Sequence, residues 1–460
     1  MELINIDETL EMTRQELRTK HNNYLNPGFM KMLSLLGFDK KFVRAEGTKV
    51  WDDNGIEYLD FLGGYGSLNL GHNPEEVFNA LDKIKGSPNI LQAAPGTFNA
   101  ALAENLAAIT PGNLQHSFFC NSGAEAVEGA VKLARRATGK SKVISAKGSF
   151  HGKTMGSLSV SGRDKFKAGY FPLVPECTQI PYGDDEALRE EIDENTAAVI
   201  LEPVMGEGGV IVPPEGYLST VSEICSQNNI VFILDEIQTG LGRTGKMLAC
   251  EWEQITPDII CFAKSLGGGV FPIGAFITTP ELWNKAYGRM EEALMHTSTF
   301  GGNALATGAS IATINSILDN NLPERANEHG EYFINSLKQL DDKHDMIKEV
   351  RGQGLLIGIE FNSPEKSVLN KLSKGMLEKV SQEYTGAFVA EKLQNEYQVL
   401  TAFTLNNPNV IRLEPPLIVD KEQIDYVVDS LDKLLDHHGD FFKLAFSSGK
   451  KAVSSFFKRD

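Results

Sequence analysis

From about residue 100 the chain alternates between helix-like stretches and short apolar runs: SFFC at 117–120, KVIS at 142–145, AAVILE at 197–202, IVFILD at 230–235, DIICFA at 258–263 and IGAFIT at 273–278. Apolar runs of this length, separated by helical pattern, are the mark of strands buried on both faces. The alternation therefore predicts an α/β domain with a mostly parallel sheet covered by helices on both sides. Residues 5–35 read as helical with a break at Asn26-Pro27-Gly28, and residues 43–62 as short strands around the turn Asp52-Asp53-Asn54-Gly55. Near residue 320 the pattern lengthens into long helices, then gives two further apolar runs, RGQGLLIGIEF and VIRLEPPLIV, typical of a smaller α+β domain. The expected organisation is an arm and small-domain part over residues 1–90, a large domain over 91–325 and a small domain over 326–460. Residues 364–395 are charged and helical in pattern, which reads as a solvated helix. The tail beyond residue 440, with Lys443, Lys450, Lys451, Lys458 and Arg459, reads as a frayed basic end.

Composition narrows the class. The chain has 460 residues, 42% hydrophobic and 23% charged, which is too long for one simple core. Its net charge of −17 argues against nucleic acid and anionic membrane surfaces, because both are bound through clustered cations. Cys120, Cys177, Cys225, Cys250 and Cys261 are odd in number and lack metal-ligand or redox spacing, so they read as reduced thiols and point to the cytoplasm. The first residues, MELINIDETLEMTRQEL, lack the charged-then-apolar signature of a secretory signal, and no apolar run approaches the ~18 residues of a membrane span.

Two of the apolar runs end in charge. IVFILD closes on Asp235, and DIICFA is followed by Lys264 and a run of glycines. Met singly, these would be a helix-capping aspartate and a surface lysine. Together they would stand on one edge of a parallel sheet, where α/β proteins build their sites. A lysine amine that forms a Schiff base, opposite a carboxylate that keeps a ring nitrogen protonated, is the chemistry pyridoxal 5′-phosphate requires. A third run leads into Cys120-Asn121-Ser122-Gly123-Ala124-Glu125, where Ser122 and Glu125 have capping-box spacing and a glycine precedes a helix whose buried stripe is Val127, Ala130, Val131 and Ala134. A helix start of this kind offers unpaired amides to a phosphate, although small residues at such a turn also serve packing alone. Neither GLGRTG at 240–245 nor Gly267-Gly268-Gly269 has the spacing of a nucleotide loop.

The motifs SGAEA, FHGKTMG, EPVMGEGG, LDEIQTGLGRTG, AKSLGGG, TSTFGGN and IRLEPPL, in this order between about residues 35 and 435, resemble the class III aminotransferases of pyridoxal-phosphate fold type I. That fold has a large domain with a mostly parallel seven-stranded sheet and a smaller α+β domain drawn from both chain ends. Within the family, MGEGGVIVPPEGYL and TLNNPNVIRLEPPL look most like the putrescine aminotransferases. The resemblance implies that Lys264 forms the Schiff base and then moves protons, that Asp235 pairs with the ring nitrogen, and that Gln238 contacts the ring hydroxyl. It implies that Phe150 stacks on the ring, with His151 and Glu202 also in the cofactor site, and that Ser122, Gly123 and Ala124 hold the phosphate. Thr299 would reach the same phosphate from a neighbouring subunit, so the site is expected to be complete only in a homodimer, with pairing of dimers into tetramers left open. Arg412 is expected to bind the carboxylate of a 2-oxo acid, with Glu207 pairing to it while the amine donor is bound. No metal is expected.

One position departs from the family. Many relatives that handle α-amino acids carry arginine where this chain has Lys153, and a lysine lacks the planar two-point contact with a carboxylate. The departure favours a donor without a carboxylate, and the expected reaction is transfer from putrescine to 2-oxoglutarate through pyridoxamine phosphate. Alternatives are an ornithine or acetylornithine donor, an amine:pyruvate reaction, an epimerase or aminomutase of the same fold, and a protein that keeps the fold for binding alone.

Overall fold

The computed structural model describes residues 3–91, 93–362 and 376–439, with side chains of the helix Met376–Tyr397 described from residue 384 onward. Three helices, Ile6–Glu11, Arg14–Tyr24 and Pro27–Leu35, lead the chain. The Asn26-Pro27-Gly28 break is the start of the third. Asn26 accepts from the amide of Phe29 at 3.0 Å, and Pro27 fills the first helical position, where a missing N–H loses nothing. Next come β1 (Phe42–Glu46), β2 (Lys49–Asp52) and β3 (Glu57–Asp60). The turn between the last two is held by the Asp52 carboxylate, which accepts from the amides of Asn54 and Ile56 at 2.9 and 3.1 Å.

The central sheet comprises β4 (His116–Cys120), β5 (Lys142–Ala146), β6 (Cys177–Ile180), β7 (Thr196–Leu201), β8 (Val231–Asp235), β9 (Ile259–Phe262) and β10 (Gly274–Thr278). Their order is β4-β10-β9-β8-β7-β5-β6, and only β10 runs against its neighbours. Side chains alternate across the sheet as a period of two requires. Ile144, Val199, Phe232, Leu234 and Ile260 enter one core, while Val143, Ala198, Ile200, Ile233 and Ile259 enter a second with the helix Gly123–Thr138. β6 has no counterpart among the six apolar runs. As a sheet-edge strand it is only partly buried, so its sequence, CTQI, carries little hydrophobic signal.

After the helices Ala304–Asp319 and Leu322–Lys343 come β11 (Ile347–Gln353), β12 (Leu356–Phe361), β13 (Val399–Leu400), β14 (Ala402–Phe403) and β15 (Val410–Leu413). Two further sheets result, β1-β2-β3-β13 and β11-β12-β15-β14. The first joins distant parts of the chain, with Val399 beside Leu59 in a parallel pair. The solvated helix expected over 364–395 needs correction. Residues 364–375 lie outside the described residues, but the helix Met376–Tyr397 packs on β12, β14 and β15 and buries Phe388, Val389 and Leu393. Charged residues surround this apolar stripe and hide it. One of them, Lys392, has its ammonium satisfied by Glu396 one turn on, at 2.9 Å. The basic tail beyond 440 also lies outside the described residues. Among those described, all five cysteines are free and no helix is long and apolar enough to cross a membrane.

Candidate active site

Because β4, β9, β8, β7 and β5 run the same way, the segments that leave them meet along one edge of the sheet. Asp235 ends β8, Glu202 follows β7, and Lys264 follows β9. Ser122 follows β4, while Phe150 and His151 follow β5. Ser122, Gly123, Ala124, Phe150, His151, Glu202, Glu207, Asp235, Gln238 and Lys264 line one cavity of about 480 Å3. That volume suits a small cofactor together with a substrate.

Lys264 opens a single turn of 3-10 helix with φ of 45°, the left-handed region that residues with a side chain seldom occupy. The strain belongs to the bend by which the chain leaves β9 and presents the amine to the cavity. Burial lowers the Lys264 ammonium from its usual range, against the attraction of Glu414 and Glu207. An amine so placed sheds its proton more readily and becomes nucleophilic.

Asp235 is 3% exposed. Its Oδ2 accepts from His151 Nδ1 at 2.7 Å and its Oδ1 from the amide of Ile237 at 3.2 Å. Burial works against charge on His151, but the hydrogen bond to Asp235 and that carboxylate's charge outweigh it and raise the imidazole. His151 thus stands hydrogen-bonded to Asp235 at the cavity wall. Its own position is set by its amide, which donates to Ser161 Oγ at 3.0 Å. Glu202, pushed up to about 7 by burial, accepts from the amide of Phe150 at 2.9 Å and so fixes the loop that carries the aromatic ring.

The helix Gly123–Thr138 starts with half of the expected capping box. Ser122 Oγ accepts from the amide of Glu125 at 3.2 Å, but the Glu125 carboxylate reaches Asn121, one residue earlier. The first amides of a helix lack an intrahelical acceptor. Those of Gly123 and Ala124 therefore stand at the cavity able to donate hydrogen bonds to an anion. Gly123 has a second constraint, since a Cβ there would meet Ile237 Cδ1 at 2.8 Å.

Across the cavity, Arg412 on β15 is fully buried and donates from Nη2 to Glu207 Oε1 at 2.6 Å. Glu207 lines the cavity, whereas Arg412 does not. Burial raises the Glu207 carboxyl, but Arg412 and the Leu405 amide, which donates to its other oxygen at 2.8 Å, outweigh this and hold it below the usual range. The guanidinium also lies 4.9 Å from the ring centre of Tyr65. Gln238 donates from Nε2 to Glu414 Oε1 at 2.8 Å. Tyr65 and Glu414 were not singled out in the sequence. Glu414 stands two residues after Arg412 inside a motif already quoted, and its charge beside two prolines was the available signal.

Besides Arg412, two expected site residues lie outside the cavity lining. Lys153 is exposed, its ammonium 4.5 Å from the ring centre of Phe166 and 5.8 Å from that of Phe150. Thr299 is exposed in a loop near Met290, Leu294 and Phe300, themselves exposed at 89%, 82% and 54%.

The family model for aminotransferase class-III matches residues 38–435. Aminotransferase PigE of a Serratia species is 37% identical over 464 residues, covering 94% of this chain and 54% of that protein, so the chain spans about half the length of that curated relative. Among solved structures, the ornithine aminotransferase of Toxoplasma gondii ME49 is 30% identical, with a TM-score of 0.82 over 94% of this chain and 98% of that one. An amine transaminase from an uncultivated Pseudomonas species, solved in its PLP-bound form, is 27% identical with a TM-score of 0.77, covering 85% and 94% of the two chains.

Proposed function

The chain belongs to the class III aminotransferases, a family dependent on pyridoxal phosphate, and from that premise we propose that it moves an amino group from a terminal amine, foremost putrescine, to 2-oxoglutarate, giving glutamate and an aminoaldehyde. The residues at the cavity fit the cofactor: an amine, a carboxylate hydrogen-bonded to a histidine, an aromatic ring and free helix amides all meet there. When bound, pyridoxal phosphate supplies an electron sink next to the reacting nitrogen.

Lys264 Nζ would hold the cofactor and, when released from it, would serve as the base that moves the proton at the substrate carbon. Asp235, hydrogen-bonded to His151, would face the ring nitrogen, Phe150 the ring and Gln238 the ring hydroxyl. Ser122, Gly123 and Ala124 would bind the phosphate, with Thr299 of a second copy completing that site in a homodimer. The exposed apolar residues around Thr299 support such pairing. The free cysteines suit a reducing compartment such as the cytoplasm.

The observation that carries the donor assignment is the closed Glu207–Arg412 pair. With the guanidinium masked, the far end of the cavity offers no free cation to a donor carboxylate among the described residues, and Lys153, outside the lining, lacks a planar fork. Release of Arg412 from Glu207 would then serve the acceptor. Putrescine, cadaverine, ornithine, acetylornithine and 4-aminobutyrate, each tested with 2-oxoglutarate and with pyruvate, should give the fastest turnover for the diamines. Faster reaction with acetylornithine would move the chain to the ornithine-type donors, the second reading, which the likeness to the Toxoplasma enzyme favours. Asp235→Asn should keep the cofactor and lose more than tenfold in rate, above ~1.4 kcal/mol of barrier. Unchanged kinetics would mean that another acid faces the ring nitrogen.

A further inference from the structure

We infer that Glu414 is a positioning residue that sets the charge preference of the cavity's far end, favouring a donor with a second ammonium group and opposing an acceptor with a second carboxylate. The inference rests on the diamine reading above. Arg412 is one cation between two buried carboxylates, with Glu207 at 2.6 Å from Nη2 and Glu414 Oε2 at 3.8 Å from Nη1. The second distance is too long for a hydrogen bond but well within strong Coulombic range. Glu414 Oε2, Arg412 Nη1 and Arg412 Nε are all buried without a hydrogen-bond partner. The hydrogen bonding of the cluster is therefore incomplete, and Glu414 places a carboxylate close to Arg412 and within the field of Lys264 and the buried Arg243. That negative charge attracts the second ammonium of a diamine and repels the second carboxylate of a dicarboxylic oxo acid.

Glu414 cannot step aside to relieve this. Its amide donates to the carbonyl of Phe61 at 2.8 Å, and its Oε1 is held by Gln238. A Cβ on Gly66 would sit 2.6 Å from that same oxygen, so the loop presses against the carboxylate. It remains a fixed charge, acting through Gln238 and Arg412, while Glu207 lines the cavity and is the partner that can be exchanged.

The test is a pair of opposite signs. In the holoenzyme, Glu414→Gln should raise the KM for putrescine by about tenfold, leave n-butylamine unchanged, and lower the KM for 2-oxoglutarate relative to pyruvate. Calorimetric titration with glutarate, which needs no turnover, should show tighter binding in Glu414→Gln. Glu414→Asp, which keeps the charge, should retain the wild-type order. If Glu414→Gln does not fold, Glu414→Ala carries the same comparison. Equal losses with putrescine, n-butylamine and 2-oxoglutarate, or unchanged glutarate affinity, would overturn the inference and leave Glu414 a structural residue. If the wild type treats putrescine and n-butylamine alike, the diamine reading fails, and the glutarate titration alone decides the role of Glu414.

Discussion

Lys264→Ala is expected to abolish transamination while leaving the fold intact. The substitution removes the only amine lining the cavity among the described residues, and with it the group proposed to move the proton. Loss of a positioned acid-base group alone is worth 10²–10⁴-fold, roughly, before the lost Schiff-base step is considered. Stability should hardly change. Lysine and alanine meet the same left-handed backbone at this position, and no packed core volume is lost. Turnover near the wild-type rate in purified, cofactor-loaded protein would end the assignment of Lys264. A melting temperature lowered by tens of degrees would show that the lysine serves the fold instead.

Arg412→Ala should damage the two half-reactions unequally. Reaction of the aminated cofactor with 2-oxoglutarate should slow by at least about a hundredfold, since the acceptor's carboxylate loses a charged partner in a buried site. Reaction with putrescine should fall by less than about tenfold, because Arg412 is already engaged by Glu207 in that half. Removing one partner of a buried ion pair also destabilises a protein by about 3–5 kcal/mol. Arg412→Lys should therefore accompany it, keeping the charge but losing the planar fork. Single-turnover spectra separate the halves. Equal slowing of both would show that Arg412 serves the structure or both substrates alike.

The sheet edge could be read from the chain because burial and period coincide there. β7 and β8 are buried at every position, and their apolar runs end where charge begins, at Glu202 and Asp235. Edge strand β6 and the buried half of the helix Met376–Tyr397 were hidden for opposite reasons, one too polar for a strand and the other flanked by charge. The far end of the cavity was legible only through resemblance. Glu207 and Arg412 stand 205 residues apart, and nothing local tells either of the other. His151 shows the limit of motif transfer. The motif brings it to the cofactor site, but only the geometry shows its imidazole hydrogen-bonded to Asp235. Tyr65 and Glu414 depend on how β15 and the loop at residues 63–66 converge, a tertiary fact with no periodic trace in the sequence.

The pairing of β3 with β13 dictates an order of events during synthesis. The partner of Leu59 is Val399, about 340 residues later, so the early strand waits for its neighbour while nearly the whole chain is made. At ~5–20 residues per second the delay is roughly 20–70 s. The central sheet, whose strands all come from residues 116–278, can form within that time, and the separate sheet β1-β2-β3-β13 is completed afterwards. Until then β3 presents an unpaired, sticky edge. Nascent chains halted between the central sheet and residue 399 should accordingly hold an ordered core beside an amino-terminal segment that holdase chaperones recognise.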